Sequence, residues 1–68
     1  MKFREGTIIV ERGARMRAPR YVVGVQRLDE YGDLCYDIRL LDGEEVKDQG
    51  SWYSGFTEAN FIKDTETK

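Results

Sequence analysis

Histidine is absent from this 68-residue chain, and cysteine and proline each occur only once. Without histidine the chain cannot build a Cys/His zinc site, a Ser-His-Asp triad or a Cys-His nucleophile pair. A lone cysteine cannot form a disulfide within the chain. No apolar run approaches the roughly 18 residues of a membrane span, and no signal-peptide pattern is present. These absences favour a small non-enzymatic protein, and we expect it to be cytoplasmic, without cofactor or metal.

Charge is distributed unevenly along the chain, although the net charge is only −2. Residues 1–20 contain six basic and two acidic side chains, whereas residues 21–68 contain five basic and eleven acidic ones. A pI near 5.0 disfavours a general nucleic-acid coat. A polarised chain can still present one basic patch, so the distribution of charge is more informative than its sum.

Glycine separates three β-branched and aromatic runs, which predict strands over residues 7–11, 21–28 and 34–41. The third run alternates with a period of two, since Leu34 and Tyr36 share one face while Cys35 takes the other. Residues 29–33 are predicted as a hairpin turn between the second and third runs. The dipeptide Asp42-Gly43 predicts a tight turn into a weak, polar edge strand over residues 44–48.

The C-terminal third predicts irregular structure followed by a short closing strand. Residues 50–56 contain three aromatic side chains and are predicted as a loop. Thr57 is the expected N-cap of one helical turn over residues 57–60, and residues 61–62 are the expected last strand. The polar residues 64–68 are predicted to fray.

Five short strands with hairpin connections and one helical turn predict an all-β fold, a small five-stranded barrel. We expect residues 1–63 to form a single domain. The expected core consists of Ile8, Val10, Tyr21, Val23, Val25, Leu28, Leu34, Tyr36, Ile38, Leu40, Phe56, Phe61 and Ile62.

Two segments are informative beyond their predicted strands: Phe3-x-x-Gly6-x-x-Ile9 at the start, and residues 55–62, Gly-Phe-Thr-Glu-Ala-Asn-Phe-Ile, at the end. Through these segments the chain resembles the SH3-like small-barrel superfamily. The opening, with Gly13-x-Arg15-Met16, is also similar to the YodC-like bacterial and phage proteins. The loop after the first strand is rich in arginine, where eukaryotic SH3 domains have an acidic ligand-binding loop, so the resemblance does not imply polyproline binding. Barrels of this kind bind peptides, proteins or nucleic acids.

The first candidate surface is aromatic and comprises Tyr31, Trp52, Tyr53 and Phe56. Rigid aromatic side chains between loops bury a large area at a small entropic cost, which suits a protein partner. The alternative is that Trp52 and Phe56 close the end of the barrel. Of the four, Tyr31 and Tyr53 are expected to be exposed, because their neighbours are turn-forming residues.

The second candidate surface is a basic loop with no acidic residue over positions 12–20, namely Arg12, Arg15, Arg17 and Arg20. Guanidinium groups match phosphate oxygens, which makes this loop a candidate for nucleic-acid binding. The alternative is a solvated connection whose arginines pair with carboxylates further along the chain.

The remaining polar groups predict no catalytic or metal site. Acidic residues crowd the turns without the spacing of a calcium loop, and they suit a solvated face or a docking surface for a basic partner. They are Asp29, Glu30, Asp33, Asp42, Glu44, Glu45 and Asp48. The sequence therefore predicts a protein-interaction module, with nucleic-acid binding through the basic loop as the alternative. It indicates no membrane and no small-molecule substrate.

Overall fold

The structure is a computed structural model that describes residues 3–64. Its elements are β1 (Ile8–Glu11), β2 (Arg20–Leu28), β3 (Leu34–Asp42), β4 (Glu45–Tyr53), α1 (Ser54–Asn60) and β5 (Phe61–Lys63). The strands form one antiparallel sheet with the order β4-β3-β2-β1-β5. The mostly β prediction is confirmed, but the sheet is not closed into a barrel. Both β4 and β5 lie at its edges. No helix within residues 3–64 is long and apolar enough to cross a membrane.

The strands have two faces, which the register defines. Val23, Ile38 and Tyr36 lie on the face that α1 covers, and we call this the core face. The outer face carries Asp37, Arg39 and their cross-strand neighbours. The principal buried cluster consists of Phe3, Ile9, Val23, Tyr36, Ile38 and Phe61, against which Tyr21 and Trp52 pack.

Strand β2 departs from simple alternation because of a bulge. The register shifts between Val23, which faces Ile38, and Gln26, which faces Tyr36. One extra residue in β2 therefore lies opposite β3, and the phase of the alternation reverses after it. Gln26 takes the core-face position that alternation assigns to Val25, and Val25 is exposed.

The core prediction is correct for Val10, Val23, Tyr36, Ile38 and Phe61 and wrong for five residues. The five exposed residues are Ile8, Val25, Leu28, Leu34 and Phe56. Leu28 and Leu34 pair where β2 ends and β3 begins, and neither residue belongs to the core cluster. Phe3, Ile9 and Cys35 are buried instead. In β1 the register places Ile9 opposite Tyr21 on the core face, so Ile8 faces Val22 on the outer face.

Strand β4 is longer than predicted and includes part of the segment expected to be an aromatic loop. The strand continues past a second bulge. Ile38 of β3 pairs with Gly50 and Arg39 pairs with Asp48, so β4 has one extra residue here, and Gly50 adopts a φ of 98°. Glycine accepts this conformation without a Cβ penalty, so the strand passes through the bulge and does not end there. Trp52 then pairs with Tyr36, and Tyr53 pairs with Cys35. The edge position of this strand was predicted correctly.

Helix α1 begins earlier than predicted, at Ser54, and its seven residues form more than one turn. Thr57 is not the N-cap, because it lies inside the helix and is fully buried. Its hydroxyl donates a hydrogen bond of 2.9 Å to the carbonyl oxygen of Tyr53. Of the predicted frayed tail, Asp64 pairs with Arg20, and residues 65–68 lie outside the described residues.

Candidate functional site

An aromatic cluster, formed by Tyr21, Trp52, Phe56 and Phe61, lies on the core face. The ring of Trp52 lies 5.0 Å from that of Tyr21 and 5.1 Å from that of Phe61, measured between centroids. Tyr21 and Phe61 meet edge to face at 5.8 Å. The pairing of Trp52 with Tyr36 places the indole on the core face, where Trp52 is half-buried and packs against the core cluster.

Phe56 differs from the other three rings because it is 54% exposed. It stands on α1, and its ring meets Trp52 at 6.4 Å and Phe61 at 6.2 Å, both in edge-to-face geometry. Such pairs contribute about 0.5–1.5 kcal/mol beyond burial of area. The amide of Asn60 donates to the carbonyl oxygen of Phe56, one turn earlier in the helix. Phe56 is therefore an exposed ring held in place by two neighbouring rings.

The structure does not bring the four predicted aromatic residues together. Tyr53 follows Trp52 in an extended strand, so it lies on the outer face beside Cys35 and is 57% exposed. Tyr31 lies at the tip of the β2–β3 hairpin and is 79% exposed. Only Trp52 and Phe56 are in contact. We call these two residues the aromatic ledge.

Asp29 organises the hairpin that carries Tyr31. One carboxylate oxygen of Asp29 accepts hydrogen bonds of 2.8 Å from the backbone N–H groups of Tyr31 and Asp33. The thiol of Cys35 donates a long hydrogen bond of 3.8 Å to the other carboxylate oxygen. Burial raises the pKa of the Cys35 thiol, and the negative charges of Asp29 and Asp33 raise it further. A raised pKa disfavours the thiolate, which is the reactive form of cysteine.

The remaining acidic residues of the turns are partly engaged in local contacts. Asp48 accepts a hydrogen bond from the backbone N–H of Gly50 at the β4 bulge. Asp42 and Glu45 both face Lys47, at 3.6 and 3.8 Å. Within residues 3–64, no group of three or more Asp, Glu, Cys or His side chains is arranged to hold a metal ion.

Two of the four arginines in the basic loop make side-chain contacts, and the other two are exposed. Arg20 forms an ion pair of 2.9 Å with Asp64, and Arg12 donates from its side chain to the carbonyl oxygen of Ala59 at 3.2 Å. Arg15 and Arg17 are exposed. The expected pairing of loop arginines with downstream carboxylates is therefore present for Arg20.

A shallow groove on the outer face was not expected from the sequence. It has a volume of about 240 Å³ and runs beside the β2 bulge. Its lining includes Glu5, Val22, Gly24, Asp37 and Arg39. A glycine inside an otherwise β-branched run is the signal that could have located this bulge.

Comparison with known proteins finds no matching family model, no matching curated protein and no matching solved structure.

Proposed function

We propose that this chain is a non-enzymatic protein-binding module that contacts its partner through the aromatic ledge, Trp52 and Phe56. The observation that carries the proposal is the exposure of Phe56, a large apolar ring that two other rings nevertheless hold in one position. A ring ordered before binding loses little conformational entropy when a partner covers it. Exposed rigid aromatic residues are typical anchors of protein interfaces.

The position of the aromatic ledge also suits a partner surface. It lies on α1 and β4, two regular elements, and regular elements position a contact more firmly than loops do. Tyr53, on the outer face at the end of β4, is a separate exposed aromatic group. Tyr31, at the hairpin tip, is another separate exposed aromatic group. We assign the contact to Phe56 and Trp52, and leave both tyrosines outside it.

The chemistry of the chain supports binding over catalysis. It contains no histidine, and its single thiol is buried with a raised pKa. A nucleophile needs an adjacent base or a lowered pKa, and Cys35 has acidic neighbours instead.

We further propose that the fold is a variant of the SH3-like small barrel that the sequence resembles. Support comes from the five antiparallel strands, the helix before the last strand, and the pairing of β5 with β1. The two bulges, in β2 and β4, can supply the bends that a barrel requires. A solution or crystal structure in which β3–β4 folds across β1–β5 would support this relationship. A structure with an evenly twisted open sheet would contradict it.

The protein-binding proposal is tested by capture from the lysate of the native host with immobilised protein. The test variant is Phe56→Ala, and the matched control is Val46→Ala, which also truncates an exposed apolar side chain. We expect Phe56→Ala to raise the Kd for the captured partner about thirtyfold, corresponding to a central interface residue of about 2 kcal/mol, and so to reduce its capture. Val46→Ala should capture as much as the wild type. Circular dichroism checks that both variants are folded.

If Phe56→Ala captures the same partners in the same amounts as wild type, the aromatic ledge is not the contact surface. A parallel loss in Val46→Ala would also contradict the proposal, because that residue lies on a different part of β4 and faces Leu41 on the outer face.

A further inference from the structure

Two arginines of the basic loop hold its conformation. The guanidinium of Arg20 donates hydrogen bonds to the carbonyl oxygens of Met16, at 3.3 Å, and Ala18, at 3.0 Å, while its Nε atom pairs with Asp64. The backbone N–H of Ala18 donates to the carbonyl oxygen of Arg15 at 2.9 Å, which closes a turn over residues 15–18. Arg20 therefore stabilises the turn through the carbonyl oxygens of Met16 and Ala18, and it links the turn to Asp64, the residue after β5.

The start of the loop is attached to the end of α1. The backbone N–H of Arg12 donates to the carbonyl oxygen of Asn60 at 2.7 Å, and the Arg12 side chain donates to that of Ala59. A second turn follows, closed by a bond of 3.0 Å from the N–H of Ala14 to the carbonyl oxygen of Glu11. Both ends of the loop are thus fixed, and its tip is ordered before any partner arrives.

The tip presents three side chains to solvent, those of Arg15, Met16 and Arg17. Met16 is 88% exposed, the highest value among the large hydrophobic side chains of residues 3–64. Neither the Arg15 nor the Arg17 guanidinium has an ion-pair or hydrogen-bond partner among those residues. Two unpaired guanidinium groups therefore flank an exposed apolar side chain on a tight turn, which we call the loop tip.

We propose that the loop tip is a contact site for duplex DNA, with Arg15 and Arg17 on the phosphates beside the minor groove and Met16 directed into it. The minor groove is about 6 Å wide, which admits a single unbranched side chain such as that of methionine. Arginine is attracted to narrow minor grooves, and methionine is among the apolar residues that insert between base steps there. This proposal goes beyond the protein-binding function and uses a different surface.

The positive charge near the basic loop is confined to the loop tip itself. Asp64 is paired with Arg20. The neighbouring β3–β4 turn, next to Arg20 in the register, has Asp42, Glu44 and Glu45 against the single Lys47 and stays net negative. The tip suits a membrane poorly, since two charges and one apolar side chain give little affinity for a lipid surface. It also suits a protein interface poorly, because Met16, 88% exposed, lacks the surrounding contacts that exclude water from an interface anchor.

The test measures fluorescence anisotropy of a labelled A·T-rich duplex with the full chain at low salt. Two phosphate contacts predict a slope of log affinity against log salt of about −1.8, or about a twelvefold loss between 50 and 200 mM salt. The double variant Arg15→Gln/Arg17→Gln should bind at least about tenfold more weakly, because electrostatics supply nearly all non-specific affinity. Met16→Ala should bind more weakly with the salt slope unchanged.

The matched control is Arg4→Gln/Arg39→Gln, which removes the same charge from exposed positions elsewhere and should bind like the wild type. Absence of binding at low salt, or equal losses in both double variants, would overturn the proposal. Displacement of the duplex by polyglutamate at equal charge would indicate an acidic protein partner instead. Phe56→Ala should bind the duplex normally, so failure of this proposal is distinguishable from failure of the protein-binding function.

Discussion

The phenolic oxygen of Tyr36, on β3, donates a hydrogen bond to a carboxylate oxygen of Glu58, on α1. The same phenolic oxygen accepts a hydrogen bond of 3.3 Å from the backbone N–H of Phe3. Tyr36 and Phe3 are fully buried, and their rings lie 5.9 Å apart. One hydroxyl therefore joins strand β3, the helix and the N-terminal segment, which are far apart in sequence.

Replacing Tyr36 by phenylalanine should lower the free energy of unfolding by about 1–3 kcal/mol. The substitution keeps the ring but removes this partner from the backbone N–H of Phe3, which is buried, and from the carboxylate of Glu58, which is partly buried. Urea denaturation measures the change. Tyr31→Phe is the control, since Tyr31 is exposed and its loss should cost less than about 0.5 kcal/mol.

A double-mutant cycle between Tyr36→Phe and Glu58→Gln would identify the contact directly. Residues that share a hydrogen bond should show a coupling free energy of about 0.5–3 kcal/mol. Additive effects of the two substitutions would contradict the assignment.

Gly24→Ala and Gly55→Ala should change stability in opposite directions. A Cβ at Gly24 would lie 3.0 Å from the Cβ of Asp37 and 3.2 Å from its carbonyl oxygen, whereas one at Gly55 would meet nothing within 4 Å. We expect Gly24→Ala to destabilise the fold by about 1–3 kcal/mol, because the backbone of β3 at Asp37 must move to make room for the new Cβ. Gly55→Ala, within α1, should stabilise it by up to about 1 kcal/mol. Urea denaturation of both variants tests this, and equal shifts would show that the bulge is not closely packed.

Arg20→Gln should expose the loop tip to proteolysis. The substitution removes the ion pair with Asp64 and weakens the hold on the turn. Trypsin should then cleave after Arg15 and Arg17 about fivefold faster or more, since about 1 kcal/mol of local stability changes the open population about fivefold. Mass spectrometry identifies the cut sites. In the control, Lys47→Gln, the lost ion pairs are exposed and the cleavage rate should not change.

Cys35 should react slowly with iodoacetamide in the folded protein. Its pKa is raised by burial and by Asp29 and Asp33, so at mildly alkaline pH it holds less thiolate than an ordinary cysteine. The folded state retains the proton at a pH where the unfolded chain loses it, so stability falls as pH rises above the ordinary thiol pKa. Alkylation rates with and without urea test this, and equal rates would contradict the shielding of Cys35. The variant Cys35→Ser should show a weaker decline of stability with alkaline pH.

The sequence predicted local structure well where the pattern was strong, either a clear alternation of apolar and polar residues or a turn-forming dipeptide. The alternation from Leu34 to Leu40 predicted β3, and the turn at Asp42-Gly43 predicted its connection to an edge strand. Phe56 was predicted both as a core residue and as a partner-binding residue, and on the seven-residue helix α1 its side chain is 54% exposed. No local pattern distinguishes these two positions of an aromatic ring.

The sequence by itself determined that the chain is mostly β, that it lacks the groups for histidine-based catalysis, and that positive charge collects before residue 21. Composition and short-range periodicity fix such properties, because they depend on neighbours along the chain. Only the tertiary structure decided that Arg20 holds the loop while Arg15 and Arg17 project from it, since Asp64 is 44 residues away. It likewise decided that Gln26 replaces Val25 on the core face, because a bulge depends on the partner strand. Residues of the same type can therefore have different roles, and contacts with residues distant in sequence decide which arginine is structural and which is exposed.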